Sequence, residues 1–135
     1  ILIGLVGSEM CIRDRNNAIY REQSLLVQEL AEKSDCVIVG RSADYILRDK
    51  KPLRLFIYAD MESRMERCRK RAPEQEHFTD KELRRHIQDV DKRRSKYYQF
   101  FTGQTWGEKL NYDLCINTSG ANIEDLVKVI AKLVK

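Results

Sequence analysis

The stretch Leu53-Arg54-Leu55-Phe56-Ile57-Tyr58-Ala59 is an apolar run of strand length that follows Pro52. A short apolar run bounded by turn residues is typical of a buried strand. Asp60 comes next and is a favourable N-cap for a helix that we expect from Met61 to about Arg71. The stretch therefore predicts a strand followed directly by a helix, which is the repeating unit of α/β proteins.

Two further apolar runs have strand length, Cys36-Val37-Ile38-Val39-Gly40 and Asp113-Leu114-Cys115-Ile116-Asn117-Thr118. Helical patterns surround them, and we place helices at 16–33, 42–47, 61–71, 80–101 and 123–134. The faces expected to pack inward are Ile19, Leu26 and Leu30 in the first helix, and Ile123, Leu126, Val127, Ile130, Leu133 and Val134 in the last. This alternation predicts an α/β fold, a parallel sheet with flanking helices, whose ligands bind at the carboxyl ends of the strands.

The composition is that of a globular protein, because 34% of the 135 residues are charged and 42% are hydrophobic. A chain of this length forms one domain with a real core. Its net charge of +4 suits phosphate-bearing ligands but does not by itself indicate nucleic acid, which we do not expect as a partner. No apolar run approaches the roughly 18 residues that a membrane span needs, so we expect no membrane partner either.

The four cysteines are Cys11, Cys36, Cys68 and Cys115, and they form neither a CxxC pair nor a spacing typical of metal sites. We therefore expect no metal site and a reduced, cytoplasmic setting rather than a disulfide framework. The residues from Gly7 to Arg15 resemble translated adapter read-through, a contaminant at the ends of genes from shotgun sequencing. We expect residues 1–15 to be a non-native leader and residues 16–135 to be the functional domain.

Arg94 stands where the pattern of its helix expects a buried apolar side chain. The helix opens with a capping box, Thr79-Asp80-Lys81-Glu82. Its inward stripe at helical spacing is Leu83, Ile87, Val90, Tyr97 and Phe101, with Arg94 in the remaining position. A charge on a core face is costly unless it is paired or meets an ionic ligand. Arg94 is therefore either a snorkelling or ion-paired residue, with Asp91 as its i, i+3 neighbour, or an anion-binding group facing a cleft. We expect Arg94 both to pair with Asp91 and to face the cleft above the strand ends, where it would converge with Arg41 on one site.

Arginines also crowd the helix at 61–71. One ridge of this helix carries Arg64, Arg67 and Arg71. A charge run is most often a solvated face. The alternative is the base of a basic lid at about 72–80, followed by a helix that supplies Arg93 and Arg94. Arginines that close in this way would neutralise charge developing on a transferred phosphoryl group.

Gly40-Arg41-Ser42 lies at the carboxyl end of the first expected strand. Glycine permits a close turn of the backbone, and Arg41 could then offer a two-pronged donor to a phosphate. Asp44 could orient that guanidinium or contact a ligand itself. The alternative is an ordinary turn with a surface arginine.

Motifs of several enzyme classes do not occur in the 135 residues. There is no Gly-x-x-x-x-Gly-Lys-Ser/Thr phosphate-binding loop, and no Ser-His-Asp or Cys-His arrangement can be assigned. The two histidines, His77 and His86, make no ligand pair with each other. No nucleophile can therefore be nominated from the sequence.

Three runs form a specific combination: CVIVGRSADYIL at 36–47, VDKRRSKYY at 90–98 and YDLCINTS at 112–119. Together, in this order and over about residues 17–135, they resemble the cytidylate kinase-like family of the P-loop nucleoside monophosphate kinases. The resemblance implies phosphoryl transfer from ATP to CMP or a related nucleotide, with Mg²⁺ bridging the donor phosphates. It also implies that the domain at 16–135 is the carboxyl-terminal portion of a kinase, with its lid at about 72–80.

The resemblance implies roles for several of these candidate residues. The acceptor phosphate would be held by Arg41. Arg67 and Arg71 would belong to the lid base near the donor nucleotide. The donor base would be approached by Asn117, Thr118 and Ser119. The transfer site would contain Asp91 and Arg94.

A complete member of that family begins with a strand, a phosphate-binding loop and an acceptor-binding region, and none of these is recognisable here. In the usual strand order 2-3-1-4-5, this chain would supply strands 3, 4 and 5. We therefore expect an amino-terminally truncated kinase that is inactive alone. Two alternatives stay open: a non-catalytic module that binds nucleotides or docks a partner, and a nucleic-acid-binding domain that uses the arginine-rich helices.

Overall fold

In the computed structural model, residues 13–71 and 78–134 are described, with side chains from residue 17 onward. Most of the predicted lid and leader therefore lies outside the described residues. The elements are helix α1 (Arg13–Lys33), helix α2 (Ala43–Ile46), strand β1 (Leu55–Tyr58), helix α3 (Met61–Arg71), helix α4 (Asp80–Thr102), strand β2 (Leu114–Asn117) and helix α5 (Ile123–Ala131). Short 3-10 turns occupy Arg48–Lys50 and Lys109–Asn111.

Strands β1 and β2 pair in parallel, with Leu55 opposite Leu114 and Tyr58 opposite Asn117. Parallel neighbours need a long crossover, and α3 and α4 lie in the connection between these two strands. The mixed α/β fold with a parallel sheet and flanking helices is thereby confirmed. Both strands are shorter than predicted, since each consists of only four residues from within its apolar run.

The prediction of a strand at 36–40 is wrong for the described residues, in which the sheet has two strands and 36–40 belongs to neither. The run predicts a strand buried on both faces, yet Val37 is 76% exposed and Val39 is 59% exposed. An apolar run becomes a buried strand only where another strand pairs with it and further layers cover it. The sequence of the run shows its preference but not that cover.

Helix α4 begins and ends as its sequence predicts. Thr79 Oγ1 accepts from the Glu82 N–H at 3.3 Å, while Glu82 Oε2 accepts from the Thr79 N–H at 3.2 Å. This capping box satisfies two N–H groups that have no partner within the helix. At the other end Gly103 adopts a left-handed φ of 70°, and its N–H donates to the Gln99 carbonyl at 2.9 Å.

The chain divides into two compact units, Ile1–Pro52 and Leu53–Lys135. In the first unit, fully buried Val27 packs with Ala43 and Leu47. The inward face of α1 is therefore centred on Val27, and the predicted inward residue Leu26 is 45% exposed. Helix α1 also begins at Arg13 and not at Asn16 or Asn17, because asparagine is tolerated inside a helix as well as at its cap.

In the second unit, α3 packs on the first turns of α4. Leu83 is fully buried there and contacts a cluster with Met65 and Ile87. Full burial of one leucine stabilises the folded state by about 1.5–3 kcal/mol, so Leu83 makes the main apolar contact between these helices. The predicted stripe of α4 is confirmed at this end.

The loop before β2 packs its aromatic side chains on β1. The ring of Phe56 lies 5.3 Å from the Trp106 ring and 5.0 Å from the Tyr112 ring, measured between centroids. Gly107 has a φ of 83°, and a Cβ there would come within 3.2 Å of the Phe56 ring. Glycine is required at this turn both for its backbone conformation and for its close approach to Phe56.

The apolar face of α5 is not covered by described residues. The helix begins correctly, since Asn122 Oδ1 accepts from the N–H groups of Glu124 and Asp125 at 3.0 and 3.3 Å. It ends at Ala131, before the predicted Val134. The expected inward residues are largely exposed, including Ile123 at 49%, Val127 at 58%, Leu133 at 55% and Val134 at 62%. Helical spacing predicts which residues share a face but not what packs on that face.

None of the described helices combines the length and the hydropathy that crossing a bilayer requires.

Candidate functional site

The carboxyl ends of β1 and β2 are tied together by hydrogen bonds. The Thr118 N–H donates to the Tyr58 carbonyl at 2.8 Å, and Thr118 Oγ1 donates to the same carbonyl at 3.0 Å. The Asp60 N–H donates to Ser119 Oγ at 2.7 Å. These bonds form because both strands end at the same level of the sheet, as the parallel register requires. The ends of the strands are the place where an open parallel sheet binds ligands.

Arg67 lies across these strand ends. From the second turn of α3, its Nη1 donates to Thr118 Oγ1 at 2.9 Å and its Nη2 donates to the Thr118 carbonyl at 2.6 Å. Thr118 is only 3% exposed, whereas Arg67 is half-buried. These bonds involve two of the five N–H groups of the guanidinium, so the others can still donate to an anion.

Asp60 completes the cluster, and the sequence identified it only as a helix cap. Its Oδ1 accepts from the Ser63 N–H at 2.7 Å, which caps α3. Hydrogen bonds from Ser63 lower the pKa of Asp60, with smaller contributions from Ser119 and from the charge of Arg67. The feature of the sequence that could have identified Asp60 as a site residue is its position directly after a predicted strand.

The loop after β2 holds the next two predicted donor-site residues close together. Asn117 Oδ1 accepts from the Ser119 N–H at 3.0 Å, a local turn that side-chain amides favour. The Ser119 hydroxyl in turn accepts from the Asp60 N–H. Asn117, Thr118, Ser119 and Arg67 are therefore brought together, as their common assignment requires.

Arg64 and Asp91 form a two-pronged ion pair between α3 and α4. Arg64 Nη1 donates to Asp91 Oδ2 at 2.7 Å, and Nη2 donates to Oδ1 at 2.8 Å. The hydrogen bond with Asp91 raises the pKa of Arg64. The expected pairing of Asp91 with Arg94 is therefore wrong. A planar guanidinium on a facing helix matches both carboxylate oxygens, which a neighbour at i+3 on the same helix does less well.

Arg94 is exposed, and so is Arg93. The prediction that Arg94 occupies a buried position is wrong, because cover on α4 is found near its two ends. Helix α3 covers Leu83 and Ile87, and the Tyr98 hydroxyl donates to Gln104 Oε1 at 2.9 Å in the loop after the helix. Tyr98 is buried in place of the predicted Tyr97. Arg94 needs no buried partner, and its charge faces solvent.

Arg41 lies in the first unit, in a turn of three successive left-handed residues. Gly40, Arg41 and Ser42 have φ values of 74°, 59° and 55°. The sequence predicts such a backbone only for Gly40, since a left-handed conformation costs other residues roughly 1–2 kcal/mol each. The Ser42 hydroxyl is buried and, among the described residues, has no hydrogen-bond partner. Asp44 follows, half-buried in the first turn of α2.

The remaining predicted residues do not join a common cluster. Arg71 is the last residue of α3 and is exposed. Arg41 belongs to the first unit and Arg94 to the second, so their convergence on one site stays a prediction.

A groove of about 420 Å³ lies beside the first turns of α3 and α4 but does not suit polyphosphate. Its lining is Asp60, Glu62, Ser63, Met65, Glu66, Arg69 and Asp80. Four of these are carboxylates, and Arg69 is paired with Asp80. In the described part of the chain, no group of three or more His, Cys, Asp or Glu side chains could hold a metal ion.

Comparison with known proteins bears on the family and the fold of the chain. No curated protein matches the sequence. A solved structure, an uncharacterized protein from Eubacterium ventriosum ATCC 27560, is similar with a TM-score of 0.77 and 28% sequence identity. The similarity covers 86% of this chain and 64% of that chain, so this chain spans less than two thirds of the length of that relative. A sequence profile matches residues 5–120, which is most of the chain, and the protein therefore belongs to the cytidylate kinase-like family.

Proposed function

We propose that the protein takes part in phosphoryl transfer from ATP to CMP or a related nucleoside monophosphate. Membership of the cytidylate kinase-like family supports a nucleotide kinase-like domain. The observation that carries the finer proposal is Arg67, which lies across the carboxyl ends of two parallel strands. Ligands of open parallel sheets bind at this edge, and a guanidinium matches the geometry of phosphate oxygens.

The donor nucleotide would lie against Arg67 and the loop after β2. Arg67 is held by a hydroxyl and a carbonyl oxygen, and neither of these neutral groups cancels its charge. Asn117 uses its Oδ1 on the Ser119 N–H. Asn117 is an exposed residue, and its NH₂ group can donate to an acceptor atom of a base. Phosphate and base would therefore be bound by neighbouring groups of one loop–helix cluster.

The transfer site would be served by the exposed arginines of α4. Arg93 and Arg94 form no ion pair among the described residues, so their charges are available to a phosphoryl group. Stabilisation of that kind acts on charge that develops in the transition state. Asp91 would contribute indirectly, by holding Arg64 and with it the relation of α3 to α4.

The acceptor phosphate would be bound by Arg41, with Asp44 near it on α2. The left-handed turn at Gly40-Arg41-Ser42 supports this role, because strained backbone occurs preferentially at functional sites. Any Mg²⁺ would arrive on the phosphates of ATP, since the described residues do not form a metal site of their own. Arg64 and Arg71 would belong to the helix that leads towards the predicted lid.

A second candidate function is a nucleotide-binding module without catalysis. The observation that favours it is the lack of a Gly-x-x-x-x-Gly-Lys-Ser/Thr motif in the 135 residues. Backbone N–H groups of that loop and its lysine are the main anchor of the donor phosphates in P-loop kinases. A chain that binds nucleotides through Arg67 but lacks this anchor would bind without turnover.

Calorimetric titration with ATP and with CMP, followed by a coupled kinase assay with ATP, Mg²⁺ and CMP, tests the proposal. We expect this chain to bind at least ATP and to show turnover far below about 1 per second, the low end for kinases. Failure to bind either nucleotide at about 1 mM, the upper end of ordinary KM values, would contradict the proposed function. Turnover above 1 per second would contradict the expectation that the missing loop is essential.

A further inference from the structure

We infer that Thr118 is a positioning residue, which holds the guanidinium of Arg67 in place for the phosphate groups of a nucleotide and does not itself contact the ligand. The inference rests on the proposed function for the identity of the anion. It differs from the resemblance-based assignment, which places Thr118 among the residues that approach the donor base.

The polar atoms of Thr118 are all engaged within the protein. Its N–H and its hydroxyl proton are both donated to the Tyr58 carbonyl, at 2.8 and 3.0 Å. Its hydroxyl and carbonyl oxygens both accept from Arg67, at 2.9 and 2.6 Å. With 3% of its surface exposed, Thr118 offers a ligand almost no contact. Any effect of its hydroxyl on binding must therefore pass through Arg67.

The direction of the hydroxyl follows from the chemistry of its partners. A guanidinium only donates hydrogen bonds, and a carbonyl only accepts them. Thr118 Oγ1 must therefore accept from Arg67 Nη1 while its own proton points to the Tyr58 carbonyl. Valine has the shape of threonine but can do neither, whereas serine can do both.

The contrast with Arg64 shows why neutral partners matter. The charge of Arg64 is compensated by a carboxylate at 2.7 Å, and this pair joins two helices. Arg67 is fixed by a hydroxyl and a backbone carbonyl, and the described residues place no carboxylate in an ion pair with it. The nearby carboxylate of Asp60 is engaged through Oδ1 with the Ser63 N–H. An arginine that is not held in place loses rotamer freedom when a ligand orders it. A guanidinium that is already ordered but not neutralised avoids much of that loss on binding an anion.

A double-mutant cycle tests the inference. It uses the single variants Thr118→Val, Thr118→Ser and Arg67→Met and the double variant Thr118→Val/Arg67→Met. The probes are ATP and inorganic tripolyphosphate, titrated by calorimetry. Tripolyphosphate has no base, so it reports phosphate binding alone. We expect Thr118→Val to weaken both affinities about tenfold and Thr118→Ser to restore most of the loss. In the Arg67→Met background Thr118→Val should have no further effect.

Thr102→Val is the matched control for loss of a buried threonine hydroxyl. Thr102 Oγ1 donates to the Tyr98 carbonyl at 2.6 Å and accepts from the Gln104 N–H at 3.0 Å, away from the strand ends. It should lower thermal stability about as much as Thr118→Val and leave both affinities unchanged. Equal losses of affinity in the two valine variants would overturn the inference, since general loosening would then explain the effect.

An NMR measurement examines the positioning without any ligand. Hydrogen exchange of the Arg67 Nη–H groups should be slow in the unchanged chain and in Thr118→Ser, and faster in Thr118→Val. Unaltered exchange in Thr118→Val, or a loss of affinity that persists in the Arg67→Met background, would overturn the inference. If the unchanged chain binds neither probe while exchange responds as expected, the proposed function fails and the restraint on Arg67 stands as a structural fact only.

Discussion

Arg64 and Asp91 join α3 to α4 through two hydrogen bonds of 2.7 and 2.8 Å between the guanidinium and the carboxylate. Both side chains are about 30% exposed or less, at 30% and 26%. The same two helices also share the buried cluster around Leu83. The ion pair thus fixes the orientation of the helix that carries Arg67 relative to the helix that carries Arg93 and Arg94.

Asp91→Asn should lower the free energy of unfolding by about 1–3 kcal/mol. The change removes a charge-assisted pair and leaves the half-buried Arg64 without its counter-charge. Urea unfolding followed by the fluorescence of Trp106, the one tryptophan, measures it. Glu62→Gln is the control, since it breaks the more exposed pair of Glu62 with Arg84, whose side chains are 79% and 46% exposed. That control should cost less than about 1 kcal/mol, and an equal cost for both variants would contradict a special role for the Arg64–Asp91 pair.

Arg94→Met should leave folding intact, because the Arg94 side chain is exposed and its loss leaves no buried group without a partner. In a kinase of this family that contains a phosphate-binding loop, the equivalent change should lower the rate of phosphoryl transfer on the order of 10³-fold. Unfolding curves of this chain and single-turnover rates of the loop-containing protein provide the two readouts. Near-normal turnover would remove Arg94 from the transfer site.

Ser42→Gly should raise the free energy of unfolding by roughly 1 kcal/mol. Glycine relieves the left-handed backbone at this position and removes a buried hydroxyl that has no partner among the described residues. Ser42→Ala separates the two effects, since it removes the hydroxyl but retains the strained backbone. Thermal unfolding of the three proteins measures the order, and a glycine variant less stable than the serine protein would contradict the strain.

Asp113 should contribute to the acid sensitivity of the fold. Hydrogen bonds from Arg54 lower the pKa of Asp113. Because the folded pKa lies below the unfolded one, the contribution is present above about pH 4, the unfolded pKa of an aspartate, and is lost as the pH falls through the folded value. Asp113→Asn should therefore flatten the fall in stability below about pH 4. Asp89→Asn, on the exposed side of α4, is the control, and an unchanged acid limb in Asp113→Asn would contradict this assignment.

Local signals in the sequence predict the ends of elements well. Thr79 and Gly103 delimit α4 as expected, and Pro52 and Asp60 correctly bracket β1. Such features depend on residues within one turn of each other, so the pattern itself contains the physics. The order of strands and helices follows for the same reason. The parallel pairing follows from that order, because strands joined by a helical crossover pair in parallel.

Long-range partners could not be predicted in this way. Asp91 pairs with Arg64, which is 27 positions away, and Arg67 bonds Thr118, which is 51 positions away. Helical spacing placed Arg94 on an inward stripe, but whether a stripe is covered depends on which element packs there. The resemblance to a family brought Arg67 and Thr118 to the same site but could not show that one residue holds the other.

The most direct test of the central claim is the affinity of ATP for the unchanged chain and for Arg67→Met. Arg85→Met is the control, because Arg85 is also a helix arginine but is exposed on α4 and forms no hydrogen bond with the strand ends. If Arg67 binds the phosphates of a nucleotide, Arg67→Met weakens ATP binding by more than about tenfold, the loss expected for a hydrogen bond to a charged group, while Arg85→Met leaves it unchanged. Equal ATP affinities for the unchanged chain and Arg67→Met would contradict the claim.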